Sequence, residues 1–503
     1  MPSSGEKQHK AASAVKWAAA GTVSKTALQL GAQVVLARLL GPEVYGLFAM
    51  GMVVLAFSNF LADFGFSWSL VQNQNLTDED IRFAFTWQLI SGTAATVALV
   101  LLAPWIASYF NEPRLELIVR WLSLNCLLNA ITAPASNLLR RKMDFRLVNI
   151  IQIVSYVIGY LCIGIPLAYA GAGVWTLVSA WLGQSVTAFI LTMIANPHSV
   201  KPLFWYPGAR NSTNVGSTVF VTNLCNWLLT SLDRVFLGRY LNAQAVGIYT
   251  VGFNLANQPN SLFLSALQPA FLAAGARLQN DRPRLRDAYL SVIATTWIII
   301  APMFVLMAFC ANDFVVVLYG SKWTSSGPVL AILAISMPAY ITWGMSTPIL
   351  WNTEGKHLET LLQIPVLCVS ALMLYLYAQQ GVMVVATITA FTMLARALVI
   401  GSTACLRLKI TVADLFPTMA RGVTICLICA VGTYAGGLLG HTISEHSLLP
   451  FVLEVVIGAG SVTAIAFLYP RLLGSQVVGV LSKFSPPIPV RLNLYLRNRC
   501  SVG

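Results

Sequence analysis

A single lysine, Lys25, lies about halfway along the first long apolar run of the sequence. The small or polar residues Gly21, Thr22, Gln29 and Gln33 lie at steps of three or four positions around it. In an α-helix this spacing places them on one face. Because an ammonium group on a polar face attracts negative charge, we predict that Lys25 binds an anion. The alternative is a lysine that extends to the edge of the apolar layer or pairs with another helix.

Three further ionisable residues, Arg396, Asp63 and Glu454, also lie inside apolar runs. Such a group costs several kcal/mol in hydrocarbon unless it faces a cavity or is paired, so each one is a functional candidate. Arg396 is predicted to be a second anion-binding residue of a cavity, with packing against a carbonyl or carboxylate as the alternative. Asp63 and Glu454 are predicted to bind a coupling proton or cation, and solvation near a helix end is the alternative for Asp63.

Signals of enzymatic chemistry are weak. The acidic run Asp78–Asp80 matches the DxD motif of metal-dependent glycosyltransferases, but Thr77 with Asp80 is also a capping-box pattern at a helix start. The sequence contains neither GxxxxGK[ST] nor HExxH. His441 and His446 are expected to be solvated in an outer loop. We therefore predict no catalytic residue, no cofactor and no metal site.

The composition defines the elements that hold these residues. Of the 503 residues, 57% are hydrophobic and 10% are charged, whereas soluble domains carry about a quarter charged residues. A membrane span needs about 20 apolar residues, and about fourteen such windows follow one another between Ala18 and Leu472. The nine cysteines lie mainly within these windows, which argues against a disulfide framework. The sequence predicts an all-α integral membrane protein with about fourteen transmembrane helices.

The net charge of +13 is distributed unevenly over the loops. By the positive-inside rule, about 23 of the 31 Lys and Arg residues fall on the side of the N-terminus. This asymmetry predicts a multi-pass membrane protein with both termini in the cytoplasm. It also makes the lipid bilayer, and not a nucleic acid, the expected partner of the positive charge.

The chain repeats itself. ARLLGPEVYGLFAMG (37–51) aligns without a gap with GRYLNAQAVGIYTVG (238–252), which matches Gly46 to Gly247 and Gly51 to Gly252. A second echo pairs TAPASNLLRRK with STPILWNTEGK near the end of the fourth helix of each half. Each repeat is predicted to cross the membrane six times, which is an even number. The second copy therefore starts on the same side as the first, and both copies insert in the same orientation.

The repeat predicts how the chain is divided. The predicted segments are a cytoplasmic N-terminus (1–14), a six-helix lobe (15–195), a cytoplasmic linker (196–212), a second six-helix lobe (213–405), two additional transmembrane helices (406–472) and a cytoplasmic tail (473–503).

The repeat also aligns two arginines, Arg38 and Arg239, at equivalent outer helix ends. Glu43, Asp233 and Arg234 accompany them. We predict that these five residues contribute ion pairs to a periplasmic gate; the alternative is that they only anchor the two turns. An exposed ion pair contributes about 0–1 kcal/mol, so one pair biases a gate without locking it.

Three stretches resemble a known family: LARLLGPEVYG, DRVFLGRYLNAQAVGIYTVGFNLANQP (233–259) and PAFLAAGARLQNDRPRLRDAYL (269–290). They resemble the polysaccharide transporter branch of the multidrug/oligosaccharidyl-lipid/polysaccharide exporter superfamily, the Wzx-type flippases, over roughly residues 15 to 420. The resemblance implies two six-helix lobes around a central cavity, often followed by two more helices. It further implies alternating-access transport of undecaprenyl-diphosphate-linked oligosaccharide, whose diphosphate Lys25 and Arg396 would bind. A polysaccharide polymerase and a chain-length regulator are possible partners.

Two alternatives stay open. A cation-coupled drug exporter of the same superfamily would favour an acidic cavity, whereas Lys25 and Arg396 predict a basic one. A membrane polysaccharide polymerase or ligase commonly relies on large periplasmic loops, and the longest outer loop predicted here has about fifteen residues. The resemblance favours the lipid-linked oligosaccharide flippase, which serves exopolysaccharide, capsule or O-antigen synthesis. The sugar and the coupling ion are not predicted.

Overall fold

The computed structural model describes residues 25–62, 77–142, 144–206, 216–278, 281–353, 356–444, 446–474 and 477. All regular secondary structure in these residues is helical. Asp63, the N-terminal segment and most of the predicted tail lie outside the described residues, so the predictions made for them stay predictions.

We number the long helices in chain order. They are α1 (residues 25–40), α2 (Pro42–Ala62), α3 (Asp78–Tyr109), α4 (Leu115–Arg141), α5 (Phe145–Tyr169), α6 (Val174–Ala195), α7 (Gly216–Tyr240), α8 (Ala243–Arg277), α9 (Arg282–Phe309), α10 (Ala311–Tyr319), α11 (Ser326–Asn352), α12 (Lys356–Tyr377), α13 (Val382–Arg407), α14 (Val412–Ile443) and α15 (Leu448–Leu468).

Within the described residues, ten helices are long and apolar enough to cross a membrane. They are α3 to α6, α9 and α11 to α15. Helices are the expected solution, because a helix satisfies its own backbone polar groups in lipid. The all-α integral membrane class is therefore confirmed, whereas the count of fourteen spans stays a prediction. Among the ten, α4 is the most buried of the first half and α11 of the second.

Contacts divide the chain into two units, Met1–Gly247 and Ile248–Gly503. The first unit holds α1 to α7 with the beginning of α8, and the second holds the rest of the chain. Nothing in this division tests the predicted segment boundaries at 195, 213 and 405.

The two copies of the repeated turn use different residues for the same purpose. Between α1 and α2, Gly41 adopts a left-handed backbone conformation with φ of 82°, and Pro42 opens α2 with a preset φ. In the second copy, the side-chain oxygen of Asn242 accepts a hydrogen bond from the Ala245 backbone N–H at 2.9 Å. Asn242 thereby caps α8.

Repeat-related glycines form a reciprocal contact at this turn. A Cβ atom on Gly46 would overlap the carbonyl oxygen of Ala243, and a Cβ atom on Gly247 would overlap that of Pro42. The backbones of α2 and α8 therefore touch where these glycines lie, as in the close helix crossings that small residues permit in membranes.

A second pair of aligned glycines has the same role in each half. Gly51 faces Leu122 of α4, and Gly252 faces Leu330 of α11. The second helix of each half thus packs on the fourth helix through a glycine, one contact in each unit. This correspondence agrees with the repeat predicted from the sequence.

The acidic run at the start of α3 is a capping box. Thr77 N–H donates to Asp80 Oδ2 at 2.8 Å, and Asp80 N–H donates back to Thr77 Oγ1 at 3.2 Å. The structural interpretation of the DxD motif is confirmed.

Candidate functional site

Lys25 lies at the first described turn of α1. Its Nζ donates a hydrogen bond to Gln152 Oε1 of α5 at 2.9 Å, and its side chain is partly buried. Within the described part of the chain, no carboxylate forms an ion pair with Lys25. Since an ammonium group carries three donors, a neutral amide partner leaves both its charge and hydrogen-bonding capacity for another group.

The surroundings of Lys25 are polar and aromatic. One helical turn further along α1, the Gln29 carbonyl accepts a hydrogen bond from the Tyr156 hydroxyl at 3.5 Å. The Tyr156 ring stacks on Tyr160 with a centroid distance of 4.5 Å. These groups define what we call the α1–α5 polar patch: Lys25, Gln29, Gln152, Tyr156 and Tyr160.

A π-helical segment, Val157–Gly164, begins in the middle of α5 directly after Tyr156. In a π-helix the backbone hydrogen bonds span five residues. Here the N–H of Ile165 donates to the Tyr160 carbonyl, five residues back, and the next residue, Pro166, has no N–H to donate. Such segments are frequent at functional sites. Here the segment places the two stacked tyrosines beside the Lys25 region.

Arg396 of α13 has the opposite surroundings. Only 1% of the residue is exposed. Its guanidinium lies 3.8 Å from the ring centroid of Trp343 and 5.7 Å from that of Tyr340, both of α11. Its Nη2 donates to Gln363 Oε1 of α12 at 2.8 Å. Among the described residues, Arg396 is thus enclosed by side chains of α11 and α12.

The enclosure of Arg396 continues into a buried carboxylate. Gln363 Nε2 donates to Glu359 Oε1 at 3.2 Å, and Trp351 Nε1 donates to Glu359 Oε2 at 2.6 Å. Glu359 and Gln363 are 1% and 0% exposed. The network joins one positive and one negative charge through an amide, and it connects α11, α12 and α13. Its composition indicates a structural role; the anion-binding role predicted for Arg396 stays untested.

The predicted gate residues gather partly around the loop between α3 and α4. Glu43 Oε1 accepts a hydrogen bond from Arg114 at 2.8 Å, and Arg114 also pairs with Glu112 at 2.7 Å. Arg239 Nη1 donates to the Tyr109 carbonyl at 2.6 Å. Glu43 and Arg239 therefore contact the same loop, from α2 and α7 respectively.

The Arg114 side chain sets the electrostatics of this loop. Its hydrogen bond and positive charge lower the pKa of Glu112, against a smaller opposing effect of burial. The two carboxylates around Arg114 in turn raise the pKa of its guanidinium. Both shifts favour the ionised forms of Glu112 and Arg114, so this ion pair is present at neutral pH.

The remaining gate candidates lie on α1 and α7. Arg38 is exposed near the end of α1. Asp233 is buried and accepts a hydrogen bond from the Arg234 backbone N–H at 2.7 Å, while Arg234 Nη1 donates to the Thr230 carbonyl at 3.2 Å. The structure brings Glu43 and Arg239 to one loop, whereas these contacts of Asp233 and Arg234 lie within α7.

Glu454, the predicted ion-coupling residue of α15, is buried. One oxygen of its carboxylate lies within 4.8 Å of ligand atoms of Asp313 and His441. His441 Nε2 lies 3.0 Å from Asp313 Oδ2. His441 is half exposed, but it lies in the last turn of α14 and not in the predicted loop, and there it contacts Asp313 of α10.

Each unit also contains an apolar cavity. The cavity of the first unit has a volume of about 760 Å³ and is lined by residues of α2, α3 and α7, including Phe57, Trp105 and Trp227. The cavity of the second unit has about 1070 Å³, with lining residues from α9 and α11 to α14 that include Trp297 and Phe391. Both linings are mainly apolar and suit hydrocarbon.

Several partners in these sites were not singled out from the sequence. Glu359 and Gln363 could have been identified from the sequence. They are four residues apart in an apolar helix, and this spacing places two polar residues on one face. Arg114, Gln152 and Asp313 could not, since their importance arises only from contacts between distant segments.

A family model described as "Polysaccharide biosynthesis protein" matches residues 35–328, more than half of the chain. The chain belongs to this family. The resemblance to polysaccharide transporters is thereby confirmed. Lys25 and Arg396 lie outside the matched range, so membership of the polysaccharide biosynthesis protein family by itself gives neither residue a role.

Relatives of this family protein act in the synthesis of different polysaccharides, according to their names. The chain is 26% identical over 340 residues to the lipopolysaccharide biosynthesis protein WzxC of Escherichia coli (strain K12), covering 65% of this chain and 67% of that protein. It is 24% identical over 322 residues to the succinoglycan biosynthesis transport protein ExoT of Rhizobium meliloti (strain 1021), covering 64% and 65%. The chain thus spans about two thirds of the length of these curated relatives.

Solved structures show the fold. The lipid II flippase MurJ in an inward closed conformation matches with a TM-score of 0.72 and 13% identity over 90% of this chain and 98% of that chain. An inward-facing multidrug resistance transporter of the MATE family matches with a TM-score of 0.60 and 15% identity over 76% and 94%. The family protein is therefore a multi-pass membrane protein with a transporter fold.

Proposed function

We propose that this protein flips an undecaprenyl-diphosphate-linked oligosaccharide across the bacterial inner membrane by alternating access. The observation that carries the proposal is Lys25, a partly buried ammonium group in an apolar helix bundle whose described partner is an uncharged amide. The family and the relatives named for polysaccharide biosynthesis support the substrate class. The substrate serves exopolysaccharide, capsule or O-antigen synthesis.

The chemistry of such a substrate matches what the described residues offer. A diphosphate is an anion, and hydrogen bonds that involve a charged group contribute about 1.5–3 kcal/mol each. Lys25 supplies the charge, and Gln152 with the two tyrosines of the α1–α5 polar patch supplies neutral hydrogen-bonding groups. The apolar cavities of the two units suit the hydrocarbon tail. No bond is made or broken, so the site needs no catalytic group.

The gate forms the second part of the proposal. Glu43, Arg114 and Arg239 hold the α3–α4 loop at the periplasmic end, with Arg38, Asp233 and Arg234 on the helices beside it. The Glu43–Arg114 pair is more than half exposed on both sides, so it contributes about 0–1 kcal/mol. A gate held by such pairs opens without a large energetic barrier, as alternating access requires.

The orientation with both termini in the cytoplasm completes the proposal. Asp63 is the coupling-ion residue in this proposal, because Glu454, the other candidate, lies beside Asp313 and His441; a polysaccharide polymerase with its chain-length regulator takes up the product. Fusions of a periplasm-active and a cytoplasm-active reporter to the C-terminus test the orientation. Activity of the periplasmic reporter alone would contradict it.

Complementation of a deletion strain tests the flippase. Without the protein, lipid-linked repeat units are expected to accumulate on the cytoplasmic face and polymer output to stop. Lys25→Ala is expected to restore little output, Lys25→Arg to restore much of it, and Lys322→Ala, which alters an exposed lysine of the second unit, to restore it fully. Normal polymer and normal intermediates in the deletion strain would refute the proposal.

A drug exporter is the second candidate, because a MATE transporter has a related fold. A positively charged site disfavours cationic drugs. A panel of drugs tested on the deletion strain separates the two candidates, since increased susceptibility together with normal polymer output would favour the exporter.

A further inference from the structure

Three side chains from different helices of the second unit converge at the end of α14. Asp313 lies in the first turn of α10, His441 in the last turn of α14 and Glu454 near the start of α15. One potential ligand atom from each lies within 4.8 Å of the other two. We propose that this Asp313–His441–Glu454 cluster binds a divalent transition metal ion of the Zn²⁺ type, which fastens α14 and α15 to α10.

The burial of the carboxylates is the first argument. Asp313 and Glu454 are 7% and 6% exposed, and two buried carboxylates in one place repel each other. His441 supplies at most one positive charge. A buried charge requires a compensating partner, and a divalent cation neutralises the whole cluster.

An unpartnered oxygen is the second argument. Glu454 Oε2 is buried and has no hydrogen-bond partner, although buried carboxylate oxygens normally have one. The other oxygen, Oε1, is confined by α14, because a Cβ atom on Gly437 would lie 2.7 Å from it. Glu454 therefore keeps one unpartnered buried oxygen in a carboxylate group that comes within 4.8 Å of the ligand atoms of Asp313 and His441.

The helix packing explains why the carboxylate lies there. Gly436 faces the backbone of Glu454 and Gly440 faces Pro450, so α14 and α15 approach each other without intervening side chains. The glycine spacing on α14 therefore has a packing role that also brings Glu454 close to His441.

The donor set determines the class of metal. One imidazole nitrogen with two carboxylate oxygens suits Zn²⁺ and related transition metals better than Na⁺ or Mg²⁺, which prefer oxygen ligands alone. Ligand atoms on one tetrahedral Zn²⁺ lie about 3.4 Å apart, because each bond is about 2.0–2.2 Å long. His441 Nε2 and Asp313 Oδ2 lie 3.0 Å apart, as in a hydrogen-bonded pair, and the three ligand atoms lie within 4.8 Å of one another, so shifts of less than about 2 Å bring all three to the spacing that a bound ion requires.

The cluster is accessible to an ion from water. The His441 side chain is 55% exposed, and Asp313 lines a cavity of about 620 Å³ together with Asn312, Thr324 and Ser447. Three protein ligands leave a fourth position for water.

Zn²⁺ titration of the full-length protein in lipid nanodiscs tests the proposal, with calorimetry and elemental analysis as readouts. We expect one Zn²⁺ per chain and a rise in the thermal unfolding midpoint. His441→Ala and Glu454→Gln are expected to weaken binding about 100-fold and to abolish the rise in midpoint. His446→Ala, which removes a neighbouring exposed histidine between α14 and α15, is the matched control and is expected to bind as the wild type does.

The readout is metal binding by the purified protein, so the result is independent of the flippase assignment. His441→Ala removes a half-exposed side chain and keeps the test valid where a carboxylate variant does not fold. The proposal is overturned if the wild type takes up no stoichiometric Zn²⁺, if both variants bind it normally, or if His446→Ala alone abolishes binding. Displacement of Zn²⁺ by equimolar Mg²⁺ or Na⁺ would overturn the class of metal.

Discussion

Lys25 and Arg396 are basic residues that lie in apolar runs of the two halves of the sequence, and their surroundings in the structure are opposite. Lys25 is partly buried and bonds to one neutral amide. Arg396 is 1% exposed, lies against two aromatic rings and belongs to a network that contains Glu359. An anion would reach the Arg396 guanidinium only if its contacts with Gln363 and the two aromatic rings opened, so the anion-binding role predicted for it stays a prediction. A charged residue in an apolar run is a candidate for a functional role. Whether a substrate can reach its charged group then distinguishes a binding residue from a structural one.

The largest effect is expected for Arg396→Ala. Removing the guanidinium leaves the buried carboxylate of Glu359 without a nearby positive charge, which costs about 3–5 kcal/mol in the free energy of unfolding. Thermal and denaturant unfolding of the protein in detergent measure this loss. The double variant Arg396→Met with Glu359→Gln is expected to recover part of the stability. If the Arg396→Ala protein were as stable as the wild type and yet did not transport, Arg396 would be a substrate-binding residue and not a structural one.

The next effect is expected for Lys25→Ala, and it concerns transport rather than stability. Loss of one charge-assisted hydrogen bond of about 1.5–3 kcal/mol reduces transport about 10- to 100-fold. The free energy of unfolding is expected to change by less than about 0.5 kcal/mol. Transport of lipid-linked substrate by proteoliposomes, normalised to folded protein, measures the first quantity. Normal transport combined with a large loss of stability would show that Lys25 is structural, like Arg396.

A smaller difference is expected between the aligned glycines of the two halves. In Gly51→Ala the new methyl group meets the mobile end of Leu122, whereas in Gly252→Ala it meets the backbone atoms Leu330 N at 3.1 Å and Ser326 O at 3.2 Å. Gly252→Ala is therefore expected to be less stable than Gly51→Ala by about 1–2 kcal/mol. Unfolding curves of the two variants, measured in parallel, give the difference. Equal stability would show that the backbone of α11 shifts to accommodate the methyl group as easily as the Leu122 side chain does.

The smallest effect is expected for Arg114→Gln. Because Arg114 lowers the pKa of Glu112, the pair stabilises the fold above the ordinary glutamate pKa of 4.5, and this contribution is lost as the pH falls below that value. The variant is expected to lose at most about 1 kcal/mol at pH 7, since the arginine is largely exposed. The two proteins are expected to converge as the pH falls from 4.5 through the lowered pKa of Glu112. Unfolding midpoints at pH 7 and pH 3.5 measure this, and a difference that grows on acidification would contradict the assignment.

The fold was predictable because its determinants are local. Hydropathy identifies membrane spans, since a helix is what satisfies the backbone in lipid. The capping box at Thr77 and the repeated glycines are also sequence-local signals. The α1 face that carries Lys25 and Gln29 follows from helical spacing alone.

Partnerships between distant segments were not predictable. Gln152 is 127 residues from Lys25, and Arg114 is 71 residues from Glu43. Composition and periodicity do not encode which helices become neighbours. Arg396 shows the limit most clearly, because its enclosure depends on residues of two other helices that lie 33 or more positions earlier.

The crossing of α2 and α8 has a mechanical consequence. Where Gly46 and Gly247 meet, main-chain atoms of one helix rest directly on the other, with no flexible side chain between them. A side chain at either position would collide with the opposite carbonyl group. Any residue larger than glycine at 46 or 247 must therefore push these two helix ends of the first unit apart.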